Sequence, residues 1–152
     1  MSPDNPNNTD ISSKRRIGWR EWVVLPELAP TRINAKIDTG AKSSAIHAFD
    51  IKEIEKGRAL WVSFFLCPAQ HKSEPEIYCR APVTDKRTIR SSNGQEEDRY
   101  VVRTPVKIGD RAWPIDLTLA NRDAMEFRLL LGRDALQHNF LIDPGTSYLL
   151  DN

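Results

Sequence analysis

An acidic residue follows directly on an apolar run in the stretch Ile37-Asp38-Thr39-Gly40-Ala41-Lys42-Ser43-Ser44-Ala45. Apolar residues at alternate positions up to Ile37 predict a half-buried strand that ends at Asp38. A carboxylate at the edge of a core must be solvated, hydrogen-bonded or paired, because an unsatisfied charge there is expensive. Thr39 offers a hydroxyl that can lock the loop, and Gly40 lets the backbone approach closely with an N–H near the carboxylate. The stretch predicts a carboxylate site at a strand end, although a turn-capping aspartate has the same local pattern.

Other strands are predicted wherever β-branched and aromatic residues cluster between turn residues. These runs are Trp19–Leu25, Ile33–Asp38, Ala59–Leu66, Thr84–Arg90, Arg99–Thr104, Trp113–Leu119 and Phe127–Leu131. Residues 45–56 fit either a strand or one helical turn, and periodicity does not decide between them. A short helix is predicted over Gly132–Gln137.

Two glycine turns predict how the strands connect. Asn93-Gly94 lies between two strand candidates, which is the strongest local signal for a hairpin. Pro144-Gly145 predicts a closing hairpin between Phe140–Asp143 and Thr146–Leu150, because proline presets one turn dihedral and glycine supplies the positive one. Many short strands with one brief helix predict an all-β protein built as a closed barrel.

Length and composition favour one globular domain. The chain has 152 residues, 39% hydrophobic and 28% charged, which is enough for a single core. Residues 1–16 combine polar residues with little apolar surface, so we expect a disordered tail before a domain over 17–152. No apolar run is long enough to span a bilayer, and the polar amino terminus lacks the core of a secretory signal. We therefore expect a cytoplasmic protein.

Charge and cysteine usage exclude two further classes. A formal net charge of +1 argues against a general nucleic-acid binder, which usually has a strong basic excess. Cys67 and Cys79, the only two cysteines, cannot form the framework of a disulfide-rich secreted domain. Both are expected to be reduced thiols.

The sequence resembles a known family at several separate motifs. Asp38-Thr39-Gly40-Ala41 and the later Leu129–Leu136 resemble, in the correct order, the two signatures of retropepsin-type aspartic peptidases. The string Ile37–His47, with Arg90–Gly94 and Thr118–Asp123, is more narrowly similar to bacterial retropepsin-like proteins labelled ATP-dependent zinc proteases. Some of those are encoded beside an ATP-grasp glutamate ligase that modifies a ribosomal protein. The resemblance runs from Ile17 to Leu150 and implies an acid-protease barrel with peptidase activity.

Aspartic peptidase chemistry needs two carboxylates that share one proton, since like charges about 3 Å apart cannot both ionise. The ionised acid takes a proton from a bound water, and the neutral acid polarises the scissile carbonyl. Only Asp38 lies in an Asp-Thr/Ser-Gly setting, because Asp143-Pro144-Gly145 has no hydroxyl and is typical of an ordinary turn. A peptidase therefore requires a symmetric homodimer in which each subunit supplies Asp38.

The resemblance implies three groups of site residues. The catalytic group is Asp38, Thr39 and Gly40. Structural support behind the loop is expected from Gly132, Arg133 and Asp134. The candidates for substrate binding are Ala41, Lys42, His47, Arg90, Ser92, Asn93 and Gly94.

Lys42 is a departure from the viral members of the family. They commonly carry an acid there, which binds the substrate backbone and pairs with the arginine, and a lysine cannot accept those hydrogen bonds. An anionic substrate is therefore expected, either acidic peptides or, from the family context, glutamate tails on a ribosomal protein. Basic residues that flank the hairpin could attract such a substrate or form a solvated strand face. They are Arg80, Lys86, Arg87, Arg90, Arg99 and Arg103.

The Asn93-Gly94 hairpin aligns with the flap of the family, which closes over substrate and excludes water. Unlike the apolar tips of viral flaps, this hairpin continues into the acids Glu96, Glu97 and Asp98. The alternative is an exposed connector without contact to the site.

Metal and nucleotide cofactors are not expected. His47, Cys67, His71 and Cys79 offer donor atoms, but their spacing fits no tight zinc site and no His-Glu-x-x-His helix exists. His47 could instead be a packed or surface histidine. Because no glycine-rich phosphate loop is present, ATP dependence would belong to a partner such as the glutamate ligase. Two alternatives remain open: a non-catalytic peptide-binding module on the same barrel, and a zinc-dependent hydrolase.

Overall fold

The computed structural model describes residues 14–69, 76–90, 94–121, 126–136 and 138–150, with the side chains of 89 and 90 left out. Within these ranges the chain forms eleven strands and one short helix. The strands are β1 (Arg15–Ile17), β2 (Arg20–Leu25), β3 (Ala29–Ile37), β4 (Ser44–His47), β5 (Phe49–Lys56), β6 (Ala59–Leu66), β7 (Ile77–Arg90), β8 (Glu96–Ile108), β9 (Arg111–Ala120), β10 (Leu129–Leu131) and β11 (Phe140–Ile142). The helix α1 is Arg133–Leu136.

Six strands close into a barrel in the order β2-β3-β10-β4-β9-β8. The ring is completed where β2 pairs with β8, with Val24 opposite Lys107. Closure leaves no unpaired edge between these strands, which protects them from pairing with other chains. The predicted all-β class, with a closed barrel and one short helix, is confirmed.

A second sheet region extends from the barrel through β7. The second half of β7 pairs with β8, while its first half pairs with β6, and β6 pairs with β5. The predicted hairpin between β7 and β8 is present, although residues 91–93 at its tip lie outside the described residues. Residues 45–56, which fitted two structures on sequence alone, form most of β4 and all of β5.

The core lies inside the barrel and follows the period-two alternation of the strands. On β9, Ile115, Leu117 and Leu119 are buried as their spacing predicts. Each fully buried aliphatic side chain stabilises the fold by about 1.5–3 kcal/mol relative to its exposed state. The largest fully buried side chains include Phe64, Ile33, Ile46, Leu129 and Leu131. Four of these belong to β3, β4 and β10, which carry and flank the Asp38 loop, so the loop stands on a packed base.

The chain termini differ from the sequence prediction. Arg15 and Arg16 lie in β1, which pairs in parallel with β11, rather than in a tail. Residues 1–13 of the predicted tail lie outside the described residues. The predicted closing hairpin is wrong, because Thr146–Leu150 forms no strand.

Glu21 explains why the last segment is not a strand. Its fully buried carboxylate accepts N–H groups from Gly18 at 2.7 Å, Leu149 at 2.9 Å and Leu150 at 3.2 Å. In a strand, consecutive N–H groups point to opposite sides, so the N–H groups of Leu149 and Leu150 would not both reach one carboxylate. Tyr148 turns the chain toward Glu21 with a φ of 55°.

Candidate active site

Strand β10 positions the candidate site by inserting between β3 and β4. It is parallel to β3, with Leu131 beside Ile37, and antiparallel to β4, with Leu130 beside Ala45. Consecutive strands β3 and β4 are therefore separated, and the loop that joins them must arch over the end of β10. This arrangement brings the Asp38 loop against the turn that follows β10.

The Asp38 loop is fixed by its own hydrogen bonds. Asp38 N–H donates to Leu131 O at 2.9 Å, which continues the β3–β10 ladder by one residue. Gly40 N–H donates to Asp38 Oδ1 at 3.0 Å, and Ala41 N–H donates to Asp38 O at 3.2 Å. Asp38 is half-buried, and Thr39 and Gly40 are exposed. The carboxylate is thus held in one orientation at the surface of this subunit.

A second turn has the same local geometry without the same surroundings. Gly145 N–H donates to Asp143 Oδ1 at 3.0 Å, as Gly40 N–H does to Asp38. The Asp-x-Gly pattern alone therefore forms this bond wherever the chain turns. What distinguishes Asp38 is the support that its loop receives from the segment after β10.

Two residues of α1, Arg133 and Asp134, supply hydrogen bonds that support the loop. Arg133 Nη1 donates to Thr39 O at 2.9 Å, and Arg133 N–H donates to Ala41 O at 2.8 Å. Asp134 N–H donates to Lys42 O at 2.9 Å. These are the contacts expected of a brace behind the loop. From the sequence, the Thr39 hydroxyl was expected to lock the loop. The contact found in the structure is instead a hydrogen bond from Arg133 to the Thr39 carbonyl oxygen.

Gly132 is required by the close approach of two backbones. A Cβ at this position would lie 2.8 Å from Ala41 O and nearer still to Ser43 O, closer than real Cβ contacts. Gly132 N–H also donates to Ser44 Oγ at 3.0 Å. Only a residue without a side chain lets the turn after β10 pack directly against the loop.

A pocket of about 100 Å³ lies beside the braced loop. Lys42, Ser43 and Asp134 line it from the loop and from α1. Strands β7, β8 and β9 contribute Arg87, Val101, Asp116 and Thr118. Lys42 and Asp134 were expected from the sequence, and Arg87 belongs to the flanking cations, whereas Asp116 was not expected. The position of Asp116 between the buried Ile115 and Leu117 of β9 was a usable signal, because alternation turns it to the opposite face.

Two of the charged lining residues are already paired. Arg87 Nε donates to Asp85 Oδ2 at 2.9 Å, and Arg103 Nη1 donates to Asp116 Oδ1 at 3.0 Å. The side chains of Lys42 and Asp134 make no hydrogen bond or ion pair to the described part of the chain. Both are exposed.

The side chain of His47 is buried and packs against an aromatic ring. The side chain is 4% exposed, and its ring stacks on Phe49 with centroids 5.7 Å apart. These contacts favour the packed alternative over a place in the substrate cleft. Ala41 contributes only main-chain bonds to the loop.

Several predicted substrate residues cannot be placed. Ser92 and Asn93 lie outside the described residues, and only the backbone of Arg90 is described, at the end of β7. Gly94 is exposed with a φ of 85°, which suits a hairpin glycine. Their roles stay predictions.

The residues considered for zinc are His47, Cys67, His71 and Cys79. Cys67 and Cys79 are buried cysteines that form no disulfide bond among the described residues, and burial raises the pKa of Cys79 to about 11. Cys79 Sγ donates to Leu28 O at 3.3 Å. His71 lies outside the described residues, and the described ones include no group of three or more His, Cys, Asp or Glu side chains that could hold a metal.

The barrel carries an Asp-Thr-Gly loop that is held by the segment after the inserted strand β10. These features are typical of the retropepsin-like class of proteins. The family identified by sequence comparison agrees with this fold class. The chain belongs to the RimB-like family, described as retropepsin-like aspartic endopeptidase RimB, whose profile matches residues 16–152. The zinc protease label suggested by the earlier resemblance receives no support from this family description.

Curated relatives are longer proteins. One from Desulfotalea psychrophila is 46% identical over 133 residues, and one from Shewanella pealeana is 42% identical over 134 residues. Both are named probable alpha-L-glutamate ligase, and each match covers 88% of this chain but 29% of the relative. The chain therefore spans less than a third of the curated relatives that it matches.

A solved structure shares the fold. The crystal structure of a Legionella pneumophila protein of unknown function, assigned to DUF785, matches with a TM-score of 0.77 and 29% identity. The match covers 91% of this chain and all of the other. In the described part of this chain, no helix has the length and apolar character needed to cross a membrane.

Proposed function

We propose that this protein is an aspartic peptidase that works as a cytoplasmic homodimer, with Asp38 contributed by each subunit. The observation that carries the proposal is the orientation of Asp38, whose Oδ1 accepts Gly40 N–H at 3.0 Å in a loop braced by Arg133. Among the described residues, Oδ2 receives no hydrogen bond in this subunit. That oxygen is available for a water or for the second carboxylate.

The mechanism needs both carboxylates. Across a two-fold axis the two Asp38 groups share one proton, because two negative charges so close together are unfavourable. The ionised Asp38 takes a proton from the attacking water while the neutral one donates to the substrate carbonyl. Gly40 N–H keeps each carboxylate in place by donating a hydrogen bond to Asp38 Oδ1.

The proposed substrate is an acidic peptide, in particular a chain of glutamates on a ribosomal protein. Lys42, four positions after Asp38, places a cation on the same loop. The name shared by the longer relatives refers to ligation of L-glutamate. A domain that removes glutamates would be a natural companion of such a ligase, and a separate ligase chain is the proposed partner here.

The test is hydrolysis of a glutamate-rich peptide by the full chain and by Asp38→Asn. Turnover should fall by at least about three orders of magnitude, since this change removes the general base. Asp143→Asn is the matched control, because Asp143 has the same bond to a glycine two positions on, and it should retain activity. Light scattering should show a dimer for both variants.

Undiminished turnover by Asp38→Asn would exclude the peptidase proposal. A wild-type protein that binds acidic peptides without cutting them would favour the non-catalytic peptide-binding module instead. Loss of turnover on chelation, restored by zinc, would favour the metal-dependent hydrolase.

A further inference from the structure

We propose that the pocket beside the Asp38 loop is a subsite for one acidic residue of an extended peptide. Lys42 binds the side-chain carboxylate, and Asp134 accepts the main-chain N–H of the same substrate segment. The inference deepens the proposed peptidase function and rests on it for the direction in which the peptide crosses the loop. The subsite itself is defined by the charges that line the pocket.

The charges of the lining are only partly balanced within the protein. Arg87 is held by Asp85, and Asp116 is held by Arg103, so these two lining residues already have partners. Lys42 and Asp134 line the same pocket and do not form an ion pair with each other or with another described residue. A cation and an anion that share a pocket without neutralising each other suit a ligand that carries a carboxylate and a hydrogen-bond donor.

Backbone hydrogen bonds fix the positions from which the side chains of Lys42 and Asp134 extend. Asp134 N–H donates to Lys42 O at 2.9 Å, and the preceding residue Arg133 donates its N–H to Ala41 O at 2.8 Å. Gly132 allows this approach because it has no Cβ. The backbones of Lys42 and Asp134 are therefore held side by side, which lowers the entropy lost when a ligand engages both side chains.

The chemistry of the pocket selects an acidic residue. A glutamate or aspartate within a peptide presents one carboxylate and one main-chain N–H, which match the Lys42 ammonium and the Asp134 carboxylate. Thr118 also lines the pocket, and a threonine hydroxyl can donate to a carboxylate. A basic residue would place its charge against Lys42, and a neutral glutamine would forfeit the charge-assisted bond.

Binding is measured without catalysis, in the full-length Asp38→Asn protein, by fluorescence anisotropy of a labelled, N-acetylated pentaglutamate peptide. Lys42→Met and Asp134→Ala are each expected to weaken binding by about tenfold or more, the usual effect of losing a hydrogen bond to a charged group. Replacing the peptide by pentaglutamine should weaken binding to a similar extent. Lys107→Met and Glu27→Gln are controls, because these exposed side chains do not line the pocket, and both should bind normally.

A charge exchange keeps the test independent of folding. Lys42→Glu should lose pentaglutamate and gain affinity for N-acetylated pentalysine, which a merely misfolded variant would not do. Unchanged pentaglutamate binding by Lys42→Met would overturn the subsite even if the wild-type protein cleaves peptides. Binding that requires a free amino terminus would overturn the assignment of Asp134 to the main-chain N–H. If binding depends on Lys42 and Asp134 but the wild type cuts nothing, the subsite stands and the peptidase function fails.

Discussion

The guanidinium of Arg133 donates to the main-chain oxygen of Thr39 at 2.9 Å, although the two residues are 94 positions apart in sequence. Through this bond the first residue of α1 holds the loop that carries Asp38. Arg133 thus acts through the loop backbone, and it makes no contact with the Asp38 carboxylate.

Replacing Arg133 by Met should therefore reduce turnover by about tenfold, because small displacements of a catalytic group cost large factors in rate. Stability should fall by only about 1 kcal/mol, the net value of one hydrogen bond. The measurement is kcat and KM for a glutamate-rich peptide beside urea unfolding. Arg58→Met, on the exposed turn after β5, is the matched control and should change neither. Equal rates for both variants would contradict the bracing role.

Gly132→Ala should destabilise the protein by several kcal/mol, roughly 3 or more, because its Cβ would collide with the backbone carbonyls of Ala41 and Ser43. Because the Cβ would meet main-chain atoms of both Ala41 and Ser43, a side-chain movement cannot relieve the collision. Gly145→Ala is the control, since its Cβ would meet Asp143 Oδ1 at an ordinary 3.5 Å. Urea unfolding of the two variants compares them directly. A loss of unfolding free energy below about 1 kcal/mol for Gly132→Ala would show that the loop backbone can move to accommodate the Cβ.

Glu21→Gln should cost about 2–4 kcal/mol of unfolding free energy, because the buried carboxylate accepts three main-chain N–H groups and an amide nitrogen cannot accept any. Residues 146–150 should then exchange their amide hydrogens faster. Glu27→Gln, at an exposed position, should stay within about 0.5 kcal/mol of the wild type. Unchanged amide exchange at Leu149 and Leu150 would argue against this role of Glu21.

The raised pKa of the buried Cys79 thiol predicts a loss of folding stability at alkaline pH. Burial raises its pKa from 9.0 to about 11, so the unfolded state releases the thiol proton at lower pH than the folded state does. Stability should therefore fall as the pH rises from about 9 toward 11. Cys79→Ala removes this contribution, so the destabilisation caused by the mutation should shrink over the same range. Denaturant unfolding at pH 8 and pH 10 measures it, and a mutational cost that is constant with pH would contradict the shift.

Local pattern was enough for some of the barrel strands, although it left β4 undecided. Alternation identified β9 and the end of β3, and Asn93-Gly94 identified the β7–β8 hairpin. Each of these signals depends on neighbours in sequence, which the period of a strand or the chemistry of a turn makes visible.

Non-local pairing explains what local pattern missed. Nothing in residues 129–131 alone indicates that β10 inserts between β3 and β4, and this insertion helps to assemble the pocket from five parts of the chain. The closing hairpin was wrong for a similar reason, since a buried acid 128 positions away takes the N–H of Leu149. The Gly-Arg-Asp segment was found only through family resemblance.

The insertion of β10 also has a consequence during synthesis. A ribosome that has made β3 and β4 has exposed the Asp38 loop, but the strand that must slide between them has not yet been translated. The loop acquires its brace only when residue 133 has left the exit tunnel. A nascent polypeptide that ends before residue 133 therefore holds the Asp38 loop without the hydrogen bond from Arg133 to Thr39 O.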